Sequence, residues 1–247
     1  MTWAERVTLF TPLDLAAVVG LFAAWLLIGW QIENPSSKRP SVSRLMAEYR
    51  REWMVQMVTR QPRIFDAQTL STLRQGTSFF ASASMLAIGG GLAAIGNAER
   101  LVGIAQDLSM SRDPKFVWEV KLLVTMFFLT NAFLKFVWSH RLFGYCAVLM
   151  GAVPNDPDDP VALPRAAKAG EINITAARSY NQGLRSVYFA LGGAAWLLGP
   201  VPLFAATAVT FWVLWRREFA SRSRSFLIGQ SDGMGHTVSS TDKRRKG

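Results

Sequence analysis

One run of residues, 114–151 (PKFVWEVKLLVTMFFLTNAFLKFVWSHRLFGYCAVLMG), constrains the fold more than any other part of the chain. A bilayer span needs about 20 mostly apolar residues at ~1.5 Å rise each, and this run exceeds that. It also carries Lys121, Asn131 and Lys135 inside its apolar sequence. A lysine at the bilayer centre costs roughly 2.5–3.5 kcal/mol on insertion scales unless it faces protein or water. At about 100° per residue, Lys121, Thr125, Asn131, Lys135 and Ser139 fall within about a third of the helix circumference. Glu119 points the opposite way. The run therefore reads as a central membrane helix with one polar stripe, and the remaining segments as helices gathered around it.

The stripe has two readings. In the functional one it lines an ion or substrate path, or its two lysines hold an anion. In the structural one Lys121 and Lys135 reach the headgroup level from the two helix ends, and Asn131 bonds across a helix interface.

Composition agrees with a membrane class. The chain has 247 residues, of which 50% are hydrophobic, with nine tryptophans and sixteen phenylalanines. A net charge of +10 in a soluble protein would point to nucleic acid. Here Lys and Arg cluster in particular loops, so the positive-inside rule is the better account and no nucleic-acid partner is expected. The same loops favour an anionic lipid surface. A single cysteine, Cys146, excludes an intramolecular disulfide and a CxxC metal site. His140 and His236 stand far apart with no HxxxH partner, so no haem or zinc is expected.

Residues 13–30 form the first apolar run, with Trp25 and Trp30 placed for an interface. It lacks the basic start and small-residue cleavage site of a signal peptide and reads as an uncleaved span. Asp14 follows Thr11-Pro12 in its first turn, where a carboxylate complements a helix N-terminus. The alternative role for Asp14 is a pair with Lys121. After the loop NPSSKRPS, residues 43–60 place Leu45, Met46, Tyr49, Trp53, Val55 and Met57 at helical spacing among Arg and Glu. This predicts an amphipathic helix at the cytoplasmic interface or against helix ends, with partner binding as the alternative. Asp66, after Pro62, is expected to start the next helix.

Residues 78–97 (SFFASASMLAIGGGLAAIGN) are the second span, rich in small residues that let helix backbones approach. Its Gly89-Gly90-Gly91 lacks phosphate-loop context and reads as close packing or a local kink. A charge-balanced connector, 98–115, leads into the central helix. Beyond Trp138 that helix continues out of the apolar layer. The loop VPNDPDDP clusters Asp156, Asp158 and Asp159, but without the EF-hand pattern it reads as solvated. Residues 164–185 read as helix approaching the next span.

Residues 186–215 contain GPVP at 199–202 and fit either one kinked span or a hairpin. The basic residues that follow, Arg216, Arg217, Arg222, Arg224 and KRRK at 243–246, prefer the inside and favour a hairpin with arms 180–198 and 201–215. The expected fold is all-α: a polytopic helical membrane bundle of about five spans, or four without the hairpin, plus the amphipathic helix. Residues 1–228 form one integral membrane domain. Residues 229–247 are expected to be a basic, disordered tail. With the N-terminus outside and the C-terminus cytoplasmic, the inside segments 32–77, 139–185 and 216–247 hold 21 of the 27 Lys and Arg, against four outside. The expected location is a bacterial inner membrane.

Six strings, REWM, RIFD, SFFASAS, KFVWSHRLFGY, YNQGLRSVYFAL and REFASRS, occur in that order between residues 51 and 223. Together they resemble the bacterial and plant membrane family called domain of unknown function 599, over roughly residues 13–225. The resemblance implies an integral membrane protein and carries no activity, cofactor or catalytic residue with it.

No GxSxG, HExxH, Walker or dinucleotide motif is present, and carboxylates inside the spans are almost absent. No catalytic residue and no cofactor is expected. Two constellations remain. One is the seam of Lys121, Thr125, Asn131 and Lys135, with Asp14. The other joins Asn173, Arg178, Tyr180, Asn181 and Arg185 to His140 and Arg141 as a basic pocket for a lipid headgroup or phosphate. The alternative for these is helix-end and interhelix hydrogen bonding. Three functional classes follow. The leading one is a non-enzymatic accessory or scaffold subunit that packs on another membrane protein or on itself. The second is a small transporter or channel lined by the seam. The third is a lipid-binding or lipid-processing protein at the cytoplasmic face.

Overall fold

A computed structural model describes residues 8–99, 103 and 114–229. The helices in chain order are α1 (Pro12–Glu33), α2 (Val42–Thr59), α3 (Ile64–Gly96), α4 (Lys115–Gly151), α5 (Ala162–Ala194), α6 (Pro200–Phe219) and α7 (Arg222–Gly229). A 3-10 turn, Ala195–Leu198, ends α5. No strand occurs among the described residues. Most of the 98–115 connector and the expected tail beyond residue 229 lie outside the described residues.

Three of these helices, α1, α3 and α4, are long and apolar enough to cross a membrane. The chain is therefore an all-α, membrane-type helical bundle. At ~1.5 Å per residue, the 37 residues of α4 reach about 55 Å, well beyond a hydrocarbon layer of ~30 Å. The excess builds a second layer. In the first layer α1, the N-terminal part of α4, the C-terminal part of α5 and α6 pack around Leu21, Ile28, Phe128, Phe189, Trp196 and Leu203. In the second, α2, the start of α3, the end of α4 and the start of α5 pack around Met54, Met57, Leu70, Phe143, Cys146 and Ala169.

Helices α4 and α5 run antiparallel through both layers. Each advance along α4 is matched by a retreat along α5. A Cβ built at Gly193 would lie 3.6 Å from Thr125, and one at Gly183 would lie 2.7 Å from the Phe136 ring. Asn131 meets Ser186, Ser139 meets Ala176, and Cys146 meets Ala169. At Gly199, whose φ of 119° suits glycine, the chain reverses. Gly192 then lies beside Thr210 and Ala206, so α5 and α6 form the hairpin expected at GPVP rather than one kinked helix.

Local sequence signals explain most helix ends. Thr11 and Asp14 form a reciprocal capping box before Pro12 in the first turn of α1. Ser41 caps α2. Asp66 stands at the start of the next helix, as expected, but in a different role from the other two. It lies in the first turn of α3 but caps nothing; it is fully buried and accepts from Trp53 Nε1 (2.7 Å) and from Arg60. The apolar face of α2 differs from expectation. Ala47, Met54, Met57 and Val58 are buried, whereas Met46, Tyr49 and Val55 are exposed. Helix α2 turns Met54, Met57 and Val58 into the second core and leaves Met46, Tyr49 and Val55 outside it.

Helix α3 is one continuous helix from Ile64 to Gly96, and the apolar run expected to cross the membrane, residues 78–97, forms its C-terminal part. Of the three apolar helices it is the least buried: 6% of its apolar window is buried, against 22% for α1 and 28% for α4. Of its three consecutive glycines, Gly91 faces Met126, while Gly89 and Gly90 face open space.

Candidate anion-binding cleft

Where the two layers meet, α1, α2, α5 and α6 enclose a cavity of about 540 Å3. Six arginines line it: Arg44, Arg50, Arg51, Arg178, Arg185 and Arg217. Three glutamates, Glu33, Glu171 and Glu218, line it as well, leaving three positive charges in excess.

All three carboxylates are engaged. Glu33, at the end of α1, accepts from Gln182 Nε2 (2.8 Å) and from Arg185 Nη2 (2.5 Å). Glu171 binds Arg51 through both its oxygens (2.7 and 3.4 Å), and Arg51 also reaches Glu48 (2.8 Å). Glu218 accepts from the backbone N–H of Ser43 (3.1 Å) and from its hydroxyl. This ties α6 to the first turn of α2. Among the described residues, Arg44, Arg50, Arg178 and Arg217 make no ion pair.

Arg50 is set from below. Its guanidinium donates to Oδ1 of Asn173, which is fully buried. Asn173 in turn donates to Cys146 Sγ (3.5 Å). Burial pulls the Arg50 pKa below its ordinary value, yet the group stays charged at neutral pH. Burial pushes the Cys146 thiol up. Arg185 passes close to α1 at Gly29, where an added Cβ would sit 3.9 Å from its Nη2. Ser41 donates to the Ile32 carbonyl (3.0 Å), and Arg224 to that of Pro40 (3.0 Å), which closes the α1–α2 loop beside the cleft.

Of the expected pocket residues, Arg178, Asn181 and Arg185 line this cavity, and Asn173 is buried behind it. The others go elsewhere. Tyr180 packs with Phe80 and Phe136. His140 faces α3, 3.3 Å from Thr77 Oγ1 and 3.4 Å from the Arg74 carbonyl. Arg141 is exposed and donates to Tyr145. Arg44, Arg50 and Arg51 of α2, Arg217 and Glu218 of α6, and Glu33 were not expected here. For the three arginines of α2 the one sequence signal was the basic character of the amphipathic helix.

The polar seam of α4 faces α5. Asn131 accepts from Ser186 (2.9 Å), Ser139 donates to the Ala176 carbonyl (2.7 Å), and Thr125 Oγ1 is buried without a partner. Lys135 is half-buried. At the far end of the bundle, Lys121 is buried with its Nζ 5.9 Å from the Trp118 ring and 6.0 Å from that of Trp196. Trp196 donates to Asp14 (2.7 Å). Asp14 thus fills the capping role considered for it, and its carboxylate also lies within coulombic reach of Lys121.

The aspartate loop is self-satisfied: Asp156 and Asp159 accept from the backbone N–H groups of Asp158 and Val161. No group of three or more His, Cys, Asp or Glu that could hold a metal occurs among the described residues.

A planar guanidinium presents paired N–H donors that match phosphate or carboxylate oxygens. Four such groups that make no ion pair among the described residues stand in a cleft with apolar Ile32, Ala47 and Ile174 in its wall, an arrangement whose chemistry suits an anion carried on an apolar body. No curated protein and no solved structure matches the chain. Residues 16–223 match the family model described as protein of unknown function, DUF599, and the chain belongs to that family.

Proposed function

We propose that this chain is a non-enzymatic, five-span inner-membrane protein that holds the headgroup of an anionic lipid in the arginine cleft. The observation that carries the reading is the excess of six arginines over three already engaged glutamates around one cavity. The α5–α6 hairpin supplies the fourth and fifth spans. The charge bias of the loops orients the cleft toward the cytoplasm, with the N-terminus outside. There it meets the negative leaflet, whose potential draws basic residues.

The test is binding of short-chain phosphatidylglycerol to the protein in zwitterionic nanodiscs. Saturable binding that weakens about tenfold or more in Arg44→Gln/Arg178→Gln is expected, since a hydrogen bond to a charged group contributes ~1.5–3 kcal/mol. Equal affinity of both proteins removes the reading. A reporter fused at the C-terminus checks the orientation: an outside signal contradicts it.

A second reading, an accessory subunit that packs on another membrane protein or on itself, is favoured by the bare face of α3. It predicts a stoichiometric partner or homo-oligomer after mild extraction. A strictly monomeric protein counts against it.

A further inference from the structure

A second cavity, of about 600 Å3, opens among α2, α3, the end of α4 and the loop that follows it. It shares no lining residue with the arginine cleft. Three arginines line it, Arg63, Arg74 and Arg165, and no acidic residue does. Its apolar wall includes Met57, Leu70 and Met150, all buried.

Two of the arginines are anchored to backbone carbonyls. Arg63 donates to Val153 (2.7 Å), Pro154 (2.6 Å) and Val58 (3.2 Å), and Arg165 donates to Ala152 (2.8 Å). Carbonyls orient a guanidinium but leave its charge uncompensated. Arg74 makes no side-chain hydrogen bond or ion pair among the described residues. The Nε atoms of Arg63 and Arg74 are both buried without a partner. Native folds satisfy nearly every buried polar atom, so unpartnered N–H groups on two arginines leave this cavity short of acceptors as well as of negative charge. The site is built in advance: the loop carbonyls hold two cations while the third stands free.

We propose that this cavity binds a phosphate group, with Arg74 and Arg165 as its principal donors and the Met57–Leu70–Met150 wall covering any apolar portion. The phosphate belongs to a free anion or to a phosphomonoester lipid headgroup. Two arms distinguish these sources. In the first, inorganic phosphate is titrated calorimetrically into the protein in phosphatidylcholine nanodiscs. In the second, the nanodiscs contain phosphatidic acid, and lipid retained on the protein is counted by native mass spectrometry.

Saturable binding in the first arm assigns a free anion, and in the second a headgroup. Both arms are run in the Arg44→Gln/Arg178→Gln background, which silences the first cleft, and there Arg74→Gln weakens binding about tenfold or more. Arg165 is exposed, so Arg165→Gln provides a folded variant if Arg74→Gln does not fold, and it too weakens binding. No saturable binding in either arm overturns the proposal, as does binding that both substitutions leave unchanged. Failure here leaves the first cleft untouched, because Arg44→Gln/Arg178→Gln tests that site separately.

Discussion

Arg185 on α5 pairs with Glu33 at the last turn of α1, Nη2 to Oε1 2.5 Å, at the level where the two layers of the bundle meet. Their side chains are 8% and 30% exposed, so this is a largely buried ion pair. Removing one partner of such a pair leaves the other charge uncompensated, a loss of roughly 3 kcal/mol or more. Glu33→Ala is expected to lower the thermal midpoint in detergent far more than Arg44→Gln, whose side chain is exposed and unpaired. Equal midpoints for the two variants would mean that the pair does not hold α1 to α5.

The glycines give a graded series. A Cβ at Gly183 would lie 2.7 Å from the ring of Phe136, itself fully buried, so Gly183→Ala forces the α4–α5 contact apart. Overpacking of this kind costs about 1–3 kcal/mol. At Gly91 the obstacle is Met126 Sδ, the far part of a flexible side chain that can move aside, so the loss is smaller. Gly89→Ala and Gly90→Ala meet nothing within 4 Å and should be neutral or stabilising, by up to about 1 kcal/mol from helix propensity. Thermal denaturation of the four variants checks the order.

Cys146 is fully buried beneath the cleft, and burial raises its thiol pKa. The thiolate is the reactive form, so raising the pKa keeps the group protonated and inert at neutral and mildly alkaline pH. Maleimide labelling at pH 8 is therefore expected to be negligible in the folded protein and complete after denaturation. Rapid labelling of the folded protein would place this thiol at a surface instead.

The polar seam is expected to act on stability. Asn131 and Ser186 share a hydrogen bond across α4 and α5. Such bonds in membrane bundles contribute about 0.6 kcal/mol on average and up to ~1.7. A double-mutant cycle of Asn131→Ala and Ser186→Ala should return a coupling in that range. A coupling of zero would mean that the two side chains do not interact.

Much of the fold is written in local sequence. The capping box at Thr11 and Asp14, the length of the run ending at Gly151, and the reversal at Gly199-Pro200 all depend on residues close in the chain. The stripe on α4 was legible because helical periodicity alone places Asn131 and Ser139 on one face. Neighbour identity was not legible. Ser139 and His140 differ by about 100° in direction, and nothing local says that α5 lies along one direction and α3 along the other. Periodicity for the same reason assigned Met46 and Tyr49 to the packed side of α2, where Ala47 and Met54 pack instead. The cleft was half legible. Arg178, Asn181 and Arg185 lie on one helix, whereas Glu33, Arg50 and Arg217 reach it from three other helices far away in the chain.

The most direct test of the arginine cleft is native mass spectrometry of the protein extracted gently from its own membrane, beside Arg44→Gln/Arg178→Gln prepared identically. The account predicts an anionic phospholipid retained at a defined stoichiometry on the first and reduced on the second. The same lipid load on both proteins, or only zwitterionic lipid on the unsubstituted chain, would contradict it.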